Sequence, residues 1–281
     1  MLRIALIVLL AMAAAIFFGE LRWRINSRQR RQQIYVARVP IQPTKFDPAE
    51  LSKLPAPVQR YFRIALKDSQ PMIKAAHLTH SGTFNMSDTA EQWKLFTSTQ
   101  LVTARRCGFD WDARIVMMPG VPVLVHDSYV NGKGILQASV FGLISVASMR
   151  GTADMAQGEL MRFLAEAAWY PTALLPSQGV IWQAVDDLSA RATLTDGAVS
   201  ATLLFQFNAE GLIDLVSAET RARVVDGITQ YTPWQGRFWN YTVHDGMRIP
   251  LDGEVEWLLP DGRRMPYWRG HLTTISHEFA L

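Results

Sequence analysis

The sequence predicts a mainly β, α+β fold: a long-stranded antiparallel sheet curled into a half-barrel, with a plug helix and a single N-terminal transmembrane helix ahead of it. Three observations predict it. The chain opens on an unbroken apolar run, Ile4 to Phe18. From about Ile73 onward, alternating segments are punctuated by the turn pairs Asn131-Gly132, Asp196-Gly197, Glu210-Gly211, Asp226-Gly227, Asp245-Gly246 and Asp261-Gly262. The last five of these lie 14 to 19 residues apart, leaving strands of roughly 10 to 14 residues, twice the usual length. Strands that long persist in a strongly twisted, curled sheet and not in a flat sandwich.

The 15 residues of the apolar run span roughly 22 Å as a helix, short of a hydrocarbon core of about 30 Å. Extension to Leu2 and Leu21, with Arg3 and Arg22 snorkelling and Trp23 at the interface, gives a single membrane span over residues 2–23. A cleaved signal peptide is the rival, because Ala11-Met12-Ala13 and Ala13-Ala14-Ala15 fit small-x-small cleavage sites. Arg22, Arg24, Arg28, Arg30 and Arg31 would then follow the cleavage site, where positive charge resists export, so an uncleaved anchor over residues 1–31 is preferred. These arginines read as a membrane-flanking stop signal, and by the positive-inside rule they favour a cytoplasmic domain.

Charge separates the leader from the rest. Residues 1–40 hold seven arginines against Glu20 alone, whereas residues 41–281 hold 21 basic and 24 acidic side chains. The sequence pI near 9.1 therefore belongs to the leader, and a nucleic-acid footprint on the remainder loses its support. With 49% hydrophobic residues and 19% charged, the chain is neither disordered nor collagenous. Cys107, the only cysteine, excludes an internal disulfide framework and a thiolate metal cluster, and no cysteine follows the leader to accept lipid.

Residues 32–54, with Pro40, Pro43 and Pro48, read as a linker, and residues 55–281 as one β-rich domain with short helices. Pro55 to Leu66 places Val58, Tyr61, Phe62, Ala65 and Leu66 at helical spacing. In Ala198 to Asn208, Val199, Ala201, Leu203, Phe205 and Phe207 share one face, which predicts a strand with one side buried. Pro233 and Gly236 mark a bend or bulge within Ile228 to His244. Between the strands, Met155 to Trp169 forms a helix with Leu160, Phe163, Leu164, Ala167 and Ala168 on one side and Glu159, Arg162 and Glu166 on the other, ended by Pro171. This helix and the segment Tyr170 to Pro176 fill the concave face as a plug.

Four segments together resemble a bacterial family of unknown function that carries an N-terminal membrane segment and one domain: Leu54 to Phe62, Gly158 to Glu166 running on to Pro176, Trp234-Gln235-Gly236, and Arg248-Ile249-Pro250 through Glu254 to Trp257. No catalytic residue comes with that resemblance. The derived architecture also resembles, in topology alone, the half-barrel lipoprotein and lipid carriers of the bacterial envelope, which implies a periplasmic domain where the charge flanks imply a cytoplasmic one. Either way the location is a bacterial cell membrane, crossed once.

No G-x-S-x-G, Walker A, G-x-G-x-x-G, H-E-x-x-H or C-x-x-C motif occurs. His77 and His80, three apart in a strand, point to opposite faces and cannot share a metal. The neighbours His126-Asp127, His244-Asp245 and His277-Glu278 diverge for the same reason and read as surface or loop polar groups. Glu254 with Glu256, and Asp110 with Asp112, read as solvated outer faces. No metal, cofactor or catalytic residue is assigned. The eight tryptophans of residues 41–281, with Trp234, Trp239, Trp257 and Trp268 in the last strands, either fill a wide interior or line a hydrophobic site.

The expectation is a membrane-anchored protein that binds an apolar ligand, whether lipid, acyl chain or lipidated protein, through Leu160, Phe163, Leu164, Trp169, Trp234, Trp239 and Trp257. Two alternatives stand beside it: an enzyme acting on a lipidic or envelope substrate with Glu166 as acid or base, and a membrane-tethered interaction module.

Overall fold

Alternation along the strands builds the molecule. In Val199–Phe207, Ala201, Leu203, Phe205 and Phe207 are buried while Ser200, Thr202 and Gln206 are exposed, so one face of the sheet is driven out of water. The computed structural model describes residues 1–281 except Asp88 and Asp226, so half of the expected Asp226-Gly227 turn lies outside the described residues. In chain order it runs α1 (Leu2–Ala37), a 3-10 turn (Pro48–Lys53), α2 (Ala56–Ala65), β1 (Ile73–Asn85), β2 (Trp93–Thr103), β3 (Gly108–Met118), β4 (Val121–Val130), β5 (Lys133–Val140) and β6 (Ile144–Arg150). Then come α3 (Ala153–Glu166), three short 3-10 turns to Gln178, β7 (Ile181–Ala184), β8 (Ser189–Asp196), β9 (Val199–Phe207), β10 (Ile213–Val225), β11 (Ile228–His244), β12 (Met247–Leu258) and β13 (Arg264–Phe279).

All thirteen strands form one sheet in the order β6-β5-β4-β3-β2-β1-β13-β12-β11-β10-β9-β8-β7. Strands adjacent in the sheet are adjacent in sequence except β1 with β13, whose pairing joins a six-strand meander to a seven-strand one. The late strands are long, 17 residues in β11 and 16 in β13, beyond the roughly 10 to 14 that the turn spacing predicts. The expected irregularity at Pro233 falls on its neighbour: register slips between Ala218 and Arg221 of β10, opposite Trp234 and Thr232. Proline has no N–H for the ladder, and the partner strand bulges around it.

The sheet curls until its two halves face each other. Tyr129 Oη on β4 donates to Asp196 Oδ2 at the end of β8, 3.0 Å away, although these strands are far apart in sheet order. Helix α3 packs against β4 and β5 on one side and against β9 and β10 on the other. It is the expected plug, with one difference. The sheet covers the side of the helix that carries these charges, so Glu159 is buried and the side chains of Arg162 and Glu166 are each only 15% exposed, while Gln157 near its N-terminus stays exposed.

The leader differs more. Its helix continues without a break to Ala37, past the expected boundary at residue 31. Its first half is exposed and long and apolar enough to cross a membrane. Its second half lies on the convex face of the sheet through the buried stripe Gly19, Trp23, Ser27, Arg30 and Ile34. Gly19 packs so closely that a Cβ there would run into the Phe141 carbonyl oxygen. As the helix advances from Glu20 to Ile34 its partners on β3 retreat from Arg114 through Asp112 and Asp110 to Gly108. The apolar half therefore projects past the sheet end that carries the β3–β4 and β5–β6 turns. The arginines are not only a membrane flank: Arg31 Nε donates to Asp110 Oδ2 at 2.9 Å and Arg22 Nη2 to the Gly142 carbonyl at 2.6 Å. The expected linker is also packed, because Ile41, Phe46 and Leu51 are buried in the main core and Arg38 pairs with Glu278 at 3.1 Å.

Candidate functional site: a cavity under the curled sheet

Between α3 and the concave face lies a cavity of about 490 Å³. Because strand side chains alternate, the sheet supplies its wall mainly from one face: Phe84, Trp111, Val125, Leu136, Trp234, Phe238, Val255 and Trp268, joined by Tyr267 where the register of β12 and β13 slips, with Ala165 and Trp169 from the plug. Partly exposed Met149 and Val224 also border it. The tryptophans are fixed by their N–H groups. Trp169 donates to the Pro250 carbonyl at 3.0 Å and Trp234 to Tyr267 Oη at 2.9 Å, which leaves their ring faces for the cavity.

One side of the cavity is ionic. Arg162 lies over the rings of Phe109 and Trp111, with its guanidinium carbon 4.9 and 5.1 Å from their centroids. It donates to Asp127 Oδ2 at 2.6 Å and to Glu166 Oε1 at 2.7 Å, and Glu166 also accepts from Gln100 at 2.6 Å. Glu159 is buried with its nearest cation, Arg221, 3.9 Å away. Burial first, then the Asp127 carboxylate beside it, push Glu159 well above the usual carboxylate range against the opposing pull of Arg221 and Arg162. Asp127 Oδ1 and Glu159 Oε2 have no hydrogen-bond partner among the described residues. Arg221 and Arg223 lie over the Trp257 ring at 5.9 and 5.4 Å.

The residues expected at the site separate. Trp169 and Trp234 line the cavity. Leu160, Phe163 and Leu164 are fully packed in the core that seats the plug. Trp257 stacks on Tyr267, 5.7 Å between centroids, beneath the two arginines. Trp239 is 47% exposed on the side of β11 opposite Phe238. Reasoning from sequence missed Trp111, Tyr267, Asp127, Glu159 and Arg221. The legible signal for the last was the pair Arg221 and Arg223, which share one face of a long strand.

The convex face holds a second buried polar cluster, where a solvated surface was expected. Asp110 and His126 are fully buried beneath α1. Ser27 Oγ donates to Asp112 Oδ2 at 2.8 Å, Trp23 Nε1 donates to Asp112 Oδ1 at 3.0 Å, and the Trp23 ring stacks on His126 at 4.4 Å. Burial alone would raise the Asp110 carboxyl, but His126, Arg31 and Ser128 hold it down at about 2. Glu256 is likewise not solvated: Arg264 and Gln235 cover it.

A curled antiparallel sheet around a plug helix, with an aromatic cavity between them and a long apolar helix at the N-terminus, is the class of structure these features define. The chain belongs to a family of unknown function, DUF6920, which matches residues 52–277. No curated protein matches the sequence. Among solved structures, a LolA superfamily protein from Nitrosomonas europaea is similar over 78% of this chain and 91% of its own, at 12% identity and a TM-score of 0.34.

Proposed function

We propose that the protein, anchored in the membrane by residues 2–23, binds an apolar molecule in the concavity of its sheet: a lipid, an acyl chain or the lipid of a lipidated protein. The observation that carries this reading is the cavity itself. Its volume of about 490 Å³ falls in the range of small-molecule sites, and its walls are aromatic and aliphatic. Burial of ligand surface against Trp111, Trp169, Trp234 and Trp268 supplies the free energy without covalent chemistry. The direction of α1 supports the same reading, since the apolar half of the helix leaves the sheet at one end and holds that end near the bilayer.

The test is native mass spectrometry of the full chain released from nanodiscs, followed by organic extraction of what travels with it. The full chain is needed because the second half of α1 covers Asp110 and His126. A stoichiometric lipid adduct that is lost in Ala165→Phe, which fills the cavity from α3, is the expected result. A ligand-free mass for the native chain overturns the reading. One observation favours a second reading, an enzyme acting on a lipidic or envelope substrate: the buried Glu159 carboxyl, pushed above the usual carboxylate range beside Asp127, borders an apolar cavity. Conversion of a lipid substrate by the native chain, abolished by Glu159→Gln, is the result that would favour it over simple binding.

A further inference from the structure

Two neighbouring side chains and a third 32 positions along the chain meet at the far end of the sheet from the anchor. His244 ends β11, Asp245 opens the tight turn to β12 with φ 51°, and His277 lies near the end of β13. His277 Nδ1 is 3.0 Å and His244 Nε2 3.3 Å from the same oxygen, Asp245 Oδ2. The three atoms lie within 4.8 Å of one another. Separations of about 3 Å are those of adjacent ligands on one cation with bonds near 2.1 Å.

His277 Nε2 is 3.3 Å from the Trp169 carbonyl oxygen, which can only accept, while Nδ1 faces the Asp245 carboxylate. A histidine that binds a metal through one nitrogen typically donates its other N–H to a carbonyl or carboxylate, which fixes the ring and its tautomer. The Trp169 carbonyl does this to His277, whose side chain is fully buried.

We propose that His244, Asp245 and His277 bind a divalent first-row transition-metal cation, with the Trp169 carbonyl orienting His277. Two imidazoles and a carboxylate suit zinc and its neighbours better than calcium or magnesium. The side chains of His244 and Asp245 are 37% and 40% exposed, so the cation is reached from solvent and keeps water at its remaining positions. Gln70 Nε2 donates to the Asp245 carbonyl at 3.2 Å and steadies the turn. Lys67 rests on Gly246 and forms no ion pair with Asp245 among the described residues. The same Trp169 presents its ring to the cavity, so the cation would stiffen the end of the plug.

The test is calorimetric titration of the chelator-stripped full chain in detergent with Zn²⁺, paired with visible absorption on titration with Co²⁺. One equivalent of Zn²⁺, ligand-field bands from Co²⁺, and a loss of about tenfold or more in affinity in His244→Ala are expected. His244 is exposed enough for that variant to fold, and Asp245→Asn gives a second reading at the shared oxygen. The proposal is overturned if the native chain takes up no stoichiometric metal. It is equally overturned if His244→Ala binds Zn²⁺ as tightly as the native chain, because His277 would then be an imidazolium simply paired with Asp245.

Discussion

The two faces of β3 and β4 are made from adjacent residues and behave in opposite ways. Phe109, Trp111 and Ala113 face inward while Asp110 and Asp112 face α1. Val125 and Asp127 face the cavity while His126 and Ser128 lie beneath the helix. On the convex side, a helix with a narrow polar stripe covers a polar surface, and the Asp110 and Asp112 carboxylates acquire partners at short range. On the concave side, wide aromatic rings meet a helix too slender to fill the space, and a cavity with an ionic side remains. The comparison teaches that burial alone does not make a site: both faces bury carboxylates and both leave volume, but the concave space is walled by aromatic rings and the convex one, about 460 Å³ beside Asp112, by threonine and serine side chains of the strands.

The largest effect expected is of pH, and it sharpens the contrast because each face contributes its own window. His80, on the concave face between Trp169 and Trp268, has no hydrogen-bond partner for either ring nitrogen among the described residues. Burial, then Arg162 and His271, push it down to about 3. A histidine held below its ordinary value stabilises the fold fully above pH 6.5 and loses that contribution as pH falls towards 3, on the order of 4–5 kcal/mol. Asp110, held at about 2, contributes above pH 3.8 and loses about 2 kcal/mol as pH falls through 2. Denaturant unfolding across pH checks both: His80→Leu should flatten the upper window and leave the lower one intact.

Next come the two ionic hubs. Arg162→Met strands Asp127 and Glu166, and Asp110→Ala strands His126 and Arg30; each should cost about 3–5 kcal/mol in unfolding measurements at neutral pH. A much smaller loss for Asp110→Ala would mean that α1 is not held on the sheet by this cluster. Ala165→Phe should reduce lipid binding by at least about tenfold, measured by displacement of a fluorescent acyl chain, while the Asp110 cluster and its pH window stay unchanged. Unaltered binding would place the ligand elsewhere than in the cavity. Gly158→Ala should stabilise the chain by roughly 0.5–1 kcal/mol, since a Cβ there meets only the Arg221 guanidinium at ordinary contact distance. The smallest change is expected for Trp239→Ala, within about 0.5 kcal/mol in thermal melts and without effect on lipid binding, because its ring faces solvent.

The elements of the fold were legible because each rests on local pattern. Turn pairs bounded the long strands, helical spacing marked the plug, and the apolar run marked the first half of α1. The site was legible only in part. Trp169 and Trp234 could be picked out as large rings in the right segments, but Trp239 could not be told from them. Whether a ring on a curled strand faces the cavity or solvent depends on a register that bulges shift. Glu159 read as exposed because amphipathic logic assumes water along the charged side of a helix, and here the sheet covers that side.

By itself, the sequence determined the alternation, the strand lengths, the plug and the apolar leader, since these follow from hydrophobic periodicity and turn chemistry over a few residues. The tertiary structure alone decided which carboxylates share space with which cations. His244, Asp245 and His277 converge because β13 returns beside the β11–β12 turn, and Asp127, Glu159 and Arg221 converge because the sheet closes on the plug. Such encounters join residues tens to hundreds of positions apart, and local spacing carries no information about them.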